Sequence, residues 1–109
     1  MTWGIVYLPE ARKDLASLDG SQREMVRRMI EKTAANPLPA NQGGYGKPLG
    51  EKQGIDLTGF LKIKLRHQGL RVIYKLLRSE TRMNIIVIGL REDNEAYKTA
   101  ASRIMRYGL

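Results

Sequence analysis

The chain has no cysteine and one histidine, His67. Without thiols there is no disulfide framework, no thiolate zinc site and no cysteine nucleophile. One imidazole argues against a histidine metal site or a catalytic triad. Aromatic residues make up 6% of the chain, and eleven Asp and Glu stand against nineteen Lys and Arg. No apolar run approaches the roughly 18 residues that a membrane span needs. The opening MTWGIVYLPEARK has no basic segment ahead of its short apolar stretch, so no secretory leader is expected. What is present is 109 residues with a net charge of +8 and 42% hydrophobic content. That suffices for one domain with a real core and is not the composition of a disordered chain. The expectation is a small, basic, cytoplasmic domain with no membrane partner. Its partner carries negative charge, nucleic acid first among the candidates.

The basic surplus is unevenly spread. Residues 1–54 carry eight basic and six acidic side chains, and residues 55–109 carry eleven and five. From Leu57 to Ser79 there is no acidic residue, while Lys62, Lys64, Arg66, Arg71, Lys75 and Arg78 all fall there. Any one of these cations reads equally well as part of a solvated face. A stretch of one sign repels itself, and such a cost is usually kept for a partner.

Trp3 to Leu8 is rich in β-formers and reads as a first strand. Pro9 suits the first turn of a helix, Leu8, Ala11, Leu15 and Leu18 follow at helical spacing, and Asp19-Gly20 reads as the stop. Ser21-Gln22-Arg23-Glu24 has the form of a capping box opening a second helix, with Val26, Met29, Ile30 and Thr33 as its inner stripe and Asn36-Pro37 as its end. Asn36 to Gly59 holds six of the eleven glycines and three of the four prolines, and reads as loop. Within it, Gly43-Gly44-Tyr45-Gly46-Lys47-Pro48 lacks the Walker spacing and is no phosphate loop. Lys47-Pro48-Leu49 reads as a short edge strand. Helical spacing then gives way to alternation. Leu61, Ile63 and Leu65 face one way, and Lys62, Lys64 and Arg66 the other. His67-Gln68-Gly69 makes a hairpin turn. Leu70 to Leu77 follows, with Val72, Tyr74 and Leu76 opposite Arg71, Ile73 and Lys75. After a turn at Ser79-Glu80-Thr81, Met83 to Leu90 is apolar on both faces and reads as a central strand. Glu92, Asp93, Asn94 and Glu95 form the acidic first turn of a last helix. Ala96, Tyr97, Ala100, Ala101 and Ile104 line its inner face, and Gly108 ends it.

Lys62 and Lys64 therefore project from one strand face about 7 Å apart, near the spacing of consecutive phosphates. Arg71 lies across the hairpin, Arg91 closes the third strand, and Tyr97 sits one turn into the following helix. If the polar faces coincide, four cations and a ring converge, which suits single-stranded RNA. Cleavage of RNA through its own 2′-OH needs four things: in-line orientation, a proton acceptor, stabilisation of the phosphorane charge and a proton for the leaving oxygen. His67 sits in a turn, and no carboxylate lies in the basic strands. Clustered lysines offer another route, because neighbouring cations lower a lysine's pKa until it exchanges protons. Arginines stay charged and stabilise the transition state. Plainer readings stand beside these. Lys62 and Lys64 are also what the solvated face of an amphipathic strand looks like. Arg91 could close its strand or pair with Glu95, and Tyr97 falls on a core stripe. Trp3, Tyr45 and Lys47 read as loop or core elements, and His67 as a turn residue.

The runs LKIKLRHQGLRVIYKLL and IIVIGLREDNEAYKTA, with the opening YLPEARKDLASLDGSQRE, resemble the RelE/ParE superfamily of toxins from bacterial toxin–antitoxin pairs. The RelE branch is the nearer one, and the resemblance spans nearly the whole chain. Its most specific parts are Lys62 and Lys64 with Arg71 seven residues on, and Arg91 followed by Tyr97. It implies an α+β fold over residues 1–109 in the order β-α-α-β-β-β-α. That is a small, twisted, mostly antiparallel sheet with a helical hairpin on one face and a C-terminal helix near its end. It implies a ribosome-dependent endoribonuclease that needs neither cofactor nor metal, cuts mRNA in the A site and forms a 2′,3′-cyclic phosphate. By the same resemblance Lys64 would protonate the leaving 5′ oxygen, and Lys62 would stabilise charge or assist deprotonation. Arg71 and Arg91 would hold the scissile phosphate, and Tyr97 would stack on or orient the target nucleotide. Arg66 and Lys75 would touch rRNA or backbone. A cognate antitoxin with an acidic helical segment would silence the toxin. Two departures from the family pattern are a longer Gly-rich segment, Gln42 to Gly54, and no evident His/Glu acid–base pair. The ParE branch inhibits DNA gyrase on the same fold, and a non-catalytic basic RNA-binding module is the third reading, so fold alone does not choose.

Overall fold

The computed structural model describes residues 2–52, 54–90 and 95–109. In chain order these form strand β1 (Gly4–Tyr7), helices α1 (Pro9–Ala16) and α2 (Gly20–Ala34), and the short strands β2 (Lys47–Pro48), β3 (Glu51–Lys52) and β4 (Ile55–Asp56). The long strands β5 (Phe60–Leu65), β6 (Leu70–Leu77) and β7 (Arg82–Leu90) and helix α3 (Glu95–Tyr107) follow. The main sheet has the order β1-β7-β6-β5-β2. β1 runs parallel to β7, and the other pairs are antiparallel. β3 and β4 make a separate two-stranded ribbon.

The expected α+β architecture is present, with α3 packed on the second face of the sheet, chiefly over β7. On one face, Leu61, Ile63, Leu65, Val72, Tyr74, Ile85 and Ile88 pack against Ala11 and Leu15 of α1 and Val26, Ile30 and Ala34 of α2. On the other, Phe60, Ile73, Ile86 and Val87 pack against Ala96, Tyr97 and Ala100 of α3. This is why β7 is apolar on both sides from Ile85 to Ile88: each face meets a helix. The β6–β7 register breaks between Ile73 and Tyr74, which oppose Val87 and Ile85. The extra residue, Ile86, is a β-bulge that lets two consecutive side chains serve the α3 core.

The turn between the helices differs from the capping-box reading. α1 stops at Ala16, and Asp19, not Ser21, caps α2. The Asp19 carboxylate accepts from the Gln22 N–H at 2.8 Å, while the Gln22 side chain accepts from the Asp19 N–H at 3.4 Å. Asp19 and Gln22 do what Ser21 and Glu24 were expected to do, two residues earlier. The hairpin turn is also one residue longer than expected, from Arg66 to Gly69, with Gly69 at φ +64°.

The Gly/Pro-rich segment is pinned to the sheet. The Tyr74 hydroxyl, fully buried, donates to the Pro37 carbonyl at 2.8 Å. Burial also pushes this phenol well above the ordinary tyrosine pKa. Tyr74→Phe leaves that carbonyl without its partner. It is expected to destabilise the fold by about 1–2 kcal/mol, read as a lower urea midpoint at unchanged m-value.

β7 poses a further hydrogen-bonding problem. β1 pairs with it only from Arg82 to Ile85. Beyond that point two side chains take the place of a strand. The Asp14 carboxylate accepts from the Ile88 N–H at 3.0 Å, and Arg103 Nη1 donates to the Ile86 carbonyl at 2.9 Å. The two side chains also pair with each other, at 2.6 and 3.1 Å. One ion pair thus completes the sheet edge and ties α1 to α3.

Candidate active site

The site is built on β5. Alternation sends Lys62 and Lys64 to the α3 face, and the β5–β6 register puts Lys64 opposite Arg71 and Lys62 opposite Ile73. α3 brings Tyr97 down onto them. Lys62 Nζ donates to the Tyr97 hydroxyl at 3.0 Å, and the Arg71 guanidinium lies 4.8 Å from the Tyr97 ring centroid. Four of the five residues expected to be catalytic, Lys62, Lys64, Arg71 and Tyr97, therefore share one face. The fifth, Arg91, lies outside the described residues.

Two features were not legible in the sequence pattern. Tyr97 is 6% exposed and Arg71 8% exposed. The ring has little surface left for a base to stack upon; its hydroxyl and face are engaged with Lys62 and Arg71. Arg71 Nε is buried and has no hydrogen-bond partner among the described residues. An unpaired buried guanidinium donor is the kind of group that a bound anion satisfies.

The second feature is Lys47, read from sequence as a loop or core element. In β2 it pairs with Lys62 across the edge of the sheet, and it lines one groove with Lys64. The Lys47 side chain beside it, followed by the charges of Lys62 and Arg66, pulls the Lys64 pKa down to about 8. A cation beside cations favours its neutral form, so Lys64 exchanges protons near neutral pH. The only sequence signal for Lys47 was the proposed edge strand around Pro48.

The remaining candidates separate. Arg66 follows the last residue of β5 and is exposed, close enough for its charge to act on Lys64. Lys75 sits four residues along β6 from Arg71, about 13 Å away, with its ammonium 5.4 Å from the Phe60 ring centroid. It stands outside the cluster. The β3–β4 ribbon adds a pocket of about 240 Å³ beside Lys62 and Tyr97, lined also by Leu49, Ile55, Leu57 and Glu51. Glu51 is a carboxylate near the lysines that the alternation of β5 and β6 could not reveal. Among the described residues no group of three His, Asp or Glu could hold a metal ion, and no helix is long and apolar enough to cross a membrane.

No family model matches the chain. It is 25% identical over 105 residues to the mRNA interferase toxin RelE of Escherichia coli strain K12, covering 96% of this chain and 100% of that protein. It is equally similar to the mRNA interferase RelE of Shigella flexneri. Its fold matches a free, doubly substituted Escherichia coli toxin RelE with a TM-score of 0.71 at 25% identity, over 95% of this chain and 99% of that one. It also matches a toxin–antitoxin complex from Mycobacterium tuberculosis with a TM-score of 0.66 at 21% identity, over 85% and 95%.

Proposed function

We propose that this chain is a RelE-like toxin of a toxin–antitoxin system, as its likeness to the mRNA interferase toxin RelE supports, and that it is a metal-independent endoribonuclease that cuts mRNA in the ribosomal A site. The observation that carries this reading is the convergence of Lys62, Lys64, Arg71 and Tyr97 on one sheet face, with Lys47 beside Lys62 and Lys64. In the proposed step the 2′-oxygen of the target nucleotide attacks the adjacent phosphorus. The P–O5′ bond breaks, and a 2′,3′-cyclic phosphate and a 5′-hydroxyl result. Lys64 gives its proton to the departing 5′ oxygen. Lys62 balances the developing phosphorane charge, and as a cation near the 2′-hydroxyl it favours loss of the 2′ proton to solvent water. Arg71 holds the phosphate through its guanidinium charge, and Arg91 is assigned the same task by resemblance alone. Tyr97, largely covered, holds Lys62 and Arg71 in place rather than offering a stacking face. Arg66 and Lys75 serve as flanking contacts to RNA. The chain's partner for silencing is an antitoxin with an acidic helical segment; two of its structural neighbours are toxins solved in complex with an antitoxin or an antitoxin peptide.

Primer extension on mRNA translated in the presence of the purified chain tests this reading. Defined cuts within codons are expected; intact transcripts beside DNA gyrase trapped on its substrate would overturn it. The pH profile tests the proton donor. A lysine that acts as an acid works in its protonated form, so the single-turnover rate is expected to fall as pH rises through about 8. Lys47→Ala removes the main cause of the lowered pKa. The descending limb is then expected to move to higher pH, and a limb that stays in place would contradict Lys64 as the donor.

A further inference from the structure

Beyond the edge of the cluster a groove of about 290 Å³ runs between α2 and β5. Its lining includes Lys32 of α2, Tyr45 of the Gly-rich loop, Lys47, Lys64 and Arg66, and no carboxylate. Tyr45 is 59% exposed, and the Lys32 ammonium lies 6.0 Å from its ring centroid. An exposed ring with a cation beside it offers a face on which a base can stack.

The loop that carries Tyr45 is built to hold it still. The Tyr45 N–H donates to the Asn36 carbonyl at 2.9 Å, and the Gly46 N–H donates to the Leu38 carbonyl at 3.0 Å. The glycines on either side are required by close approach. A Cβ at Gly44 would collide with the Leu38 backbone, and one at Gly46 would collide with the Tyr74 hydroxyl and the Leu61 side chain. The segment that reads as flexible loop in the sequence is a folded pedestal for one exposed ring.

We propose that this groove binds single-stranded RNA next to the cleaved phosphate, with one base stacked on Tyr45 and its flanking phosphates held by Lys32, Lys47 and Arg66. The proposal rests on the endonuclease reading, since the groove opens onto Lys62 and Lys64. A fixed aromatic ring ringed by cations is the combination that binds single strands with little sequence preference. An acidic protein segment would use the charges but has no need of the ring.

The test is fluorescence anisotropy of the full chain with a labelled 2′-O-methyl oligoribonucleotide, which binds without being cut through its 2′-oxygen. Tyr45→Ala is expected to weaken binding at least about fivefold, while Tyr45→Phe keeps it, because stacking needs the ring and not the hydroxyl. Lys32→Ala is expected to reduce the slope of log affinity against log salt by about 0.7, the share of one phosphate contact on a single strand. Unchanged affinity in Tyr45→Ala overturns the groove, and cleavage by the wild-type chain in the same preparation would leave the endonuclease reading standing. Weakened RNA binding in Tyr45→Ala with no mRNA cleavage by the wild-type chain would support the groove and sink the nuclease. A Tyr45→Ala defect toward an acidic peptide but not toward RNA would also overturn the proposal.

Discussion

Lys64→Ala is expected to slow single-turnover cleavage of translated mRNA by about a hundred- to ten-thousandfold, the range of a positioned general acid. Lys64→Arg separates the proton from the charge. It keeps a cation facing the RNA, but an arginine does not give up its proton in this pH range. If Lys64 donates the proton, Lys64→Arg cleaves nearly as slowly as Lys64→Ala while holding RNA close to wild-type strength. Near-normal cleavage by Lys64→Arg would show that only its charge matters. Equal cleavage by Lys64→Ala and the wild type would remove Lys64 from the mechanism altogether. Of the cations in the cluster, Lys64 is singled out because Lys47, Lys62 and Arg66 crowd it and favour its neutral form.

Asp14→Ala is expected to cost about 3 kcal/mol of stability, the low end for breaking a buried pair, because the largely covered Arg103 cation is left without its partner. Arg103 and Asp14 side chains are only 13% and 19% exposed, so water replaces little of what is lost. The substitution also takes away the acceptor for the Ile88 N–H, on an edge of β7 that no strand covers. In a domain of this size that loss is a fall in Tm of roughly 12 °C or more. Adding Arg103→Met removes the stranded cation and is expected to recover part of the loss, so the two effects do not add. A Tm within a few degrees of wild type for Asp14→Ala would mean that the pair behaves as an ordinary surface ion pair, worth at most about 1 kcal/mol.

The candidate site was partly legible for a definite reason. Lys62 and Lys64 share a face because a strand alternates, and Arg71 joins them because a short hairpin sets its own register. Both facts are local. Lys47 is different: its strand has two residues, and its place beside Lys62 depends on a loop that Tyr74 and Gly46 clamp to the sheet. No periodicity survives in two residues. Tyr97 lay on a helical stripe in the sequence, but a stripe does not say which sheet face it meets. Its contact with Lys62 crosses 35 positions. The α2 cap was misplaced by two residues because Asp19 and Ser21 both suit the role, and only the geometry of the helix entry decides between them.

The sequence by itself determined the class of the molecule and its chemistry's raw material: a basic α+β domain, poor in histidine and without thiols, with cations on alternate positions of a hairpin. Those features follow from composition and from periods of two and 3.6 residues, which act over a few neighbours. Tertiary structure alone decided that α3 covers the second face and that a bulge at Ile86 turns two side chains toward it. It also decided that Asp14 and Arg103, 89 positions apart, finish the edge of β7, and that Lys47 comes to rest against Lys64. Each of these is set by which distant groups must satisfy one another's hydrogen bonds and packing once the sheet has closed, and no local pattern records such a debt.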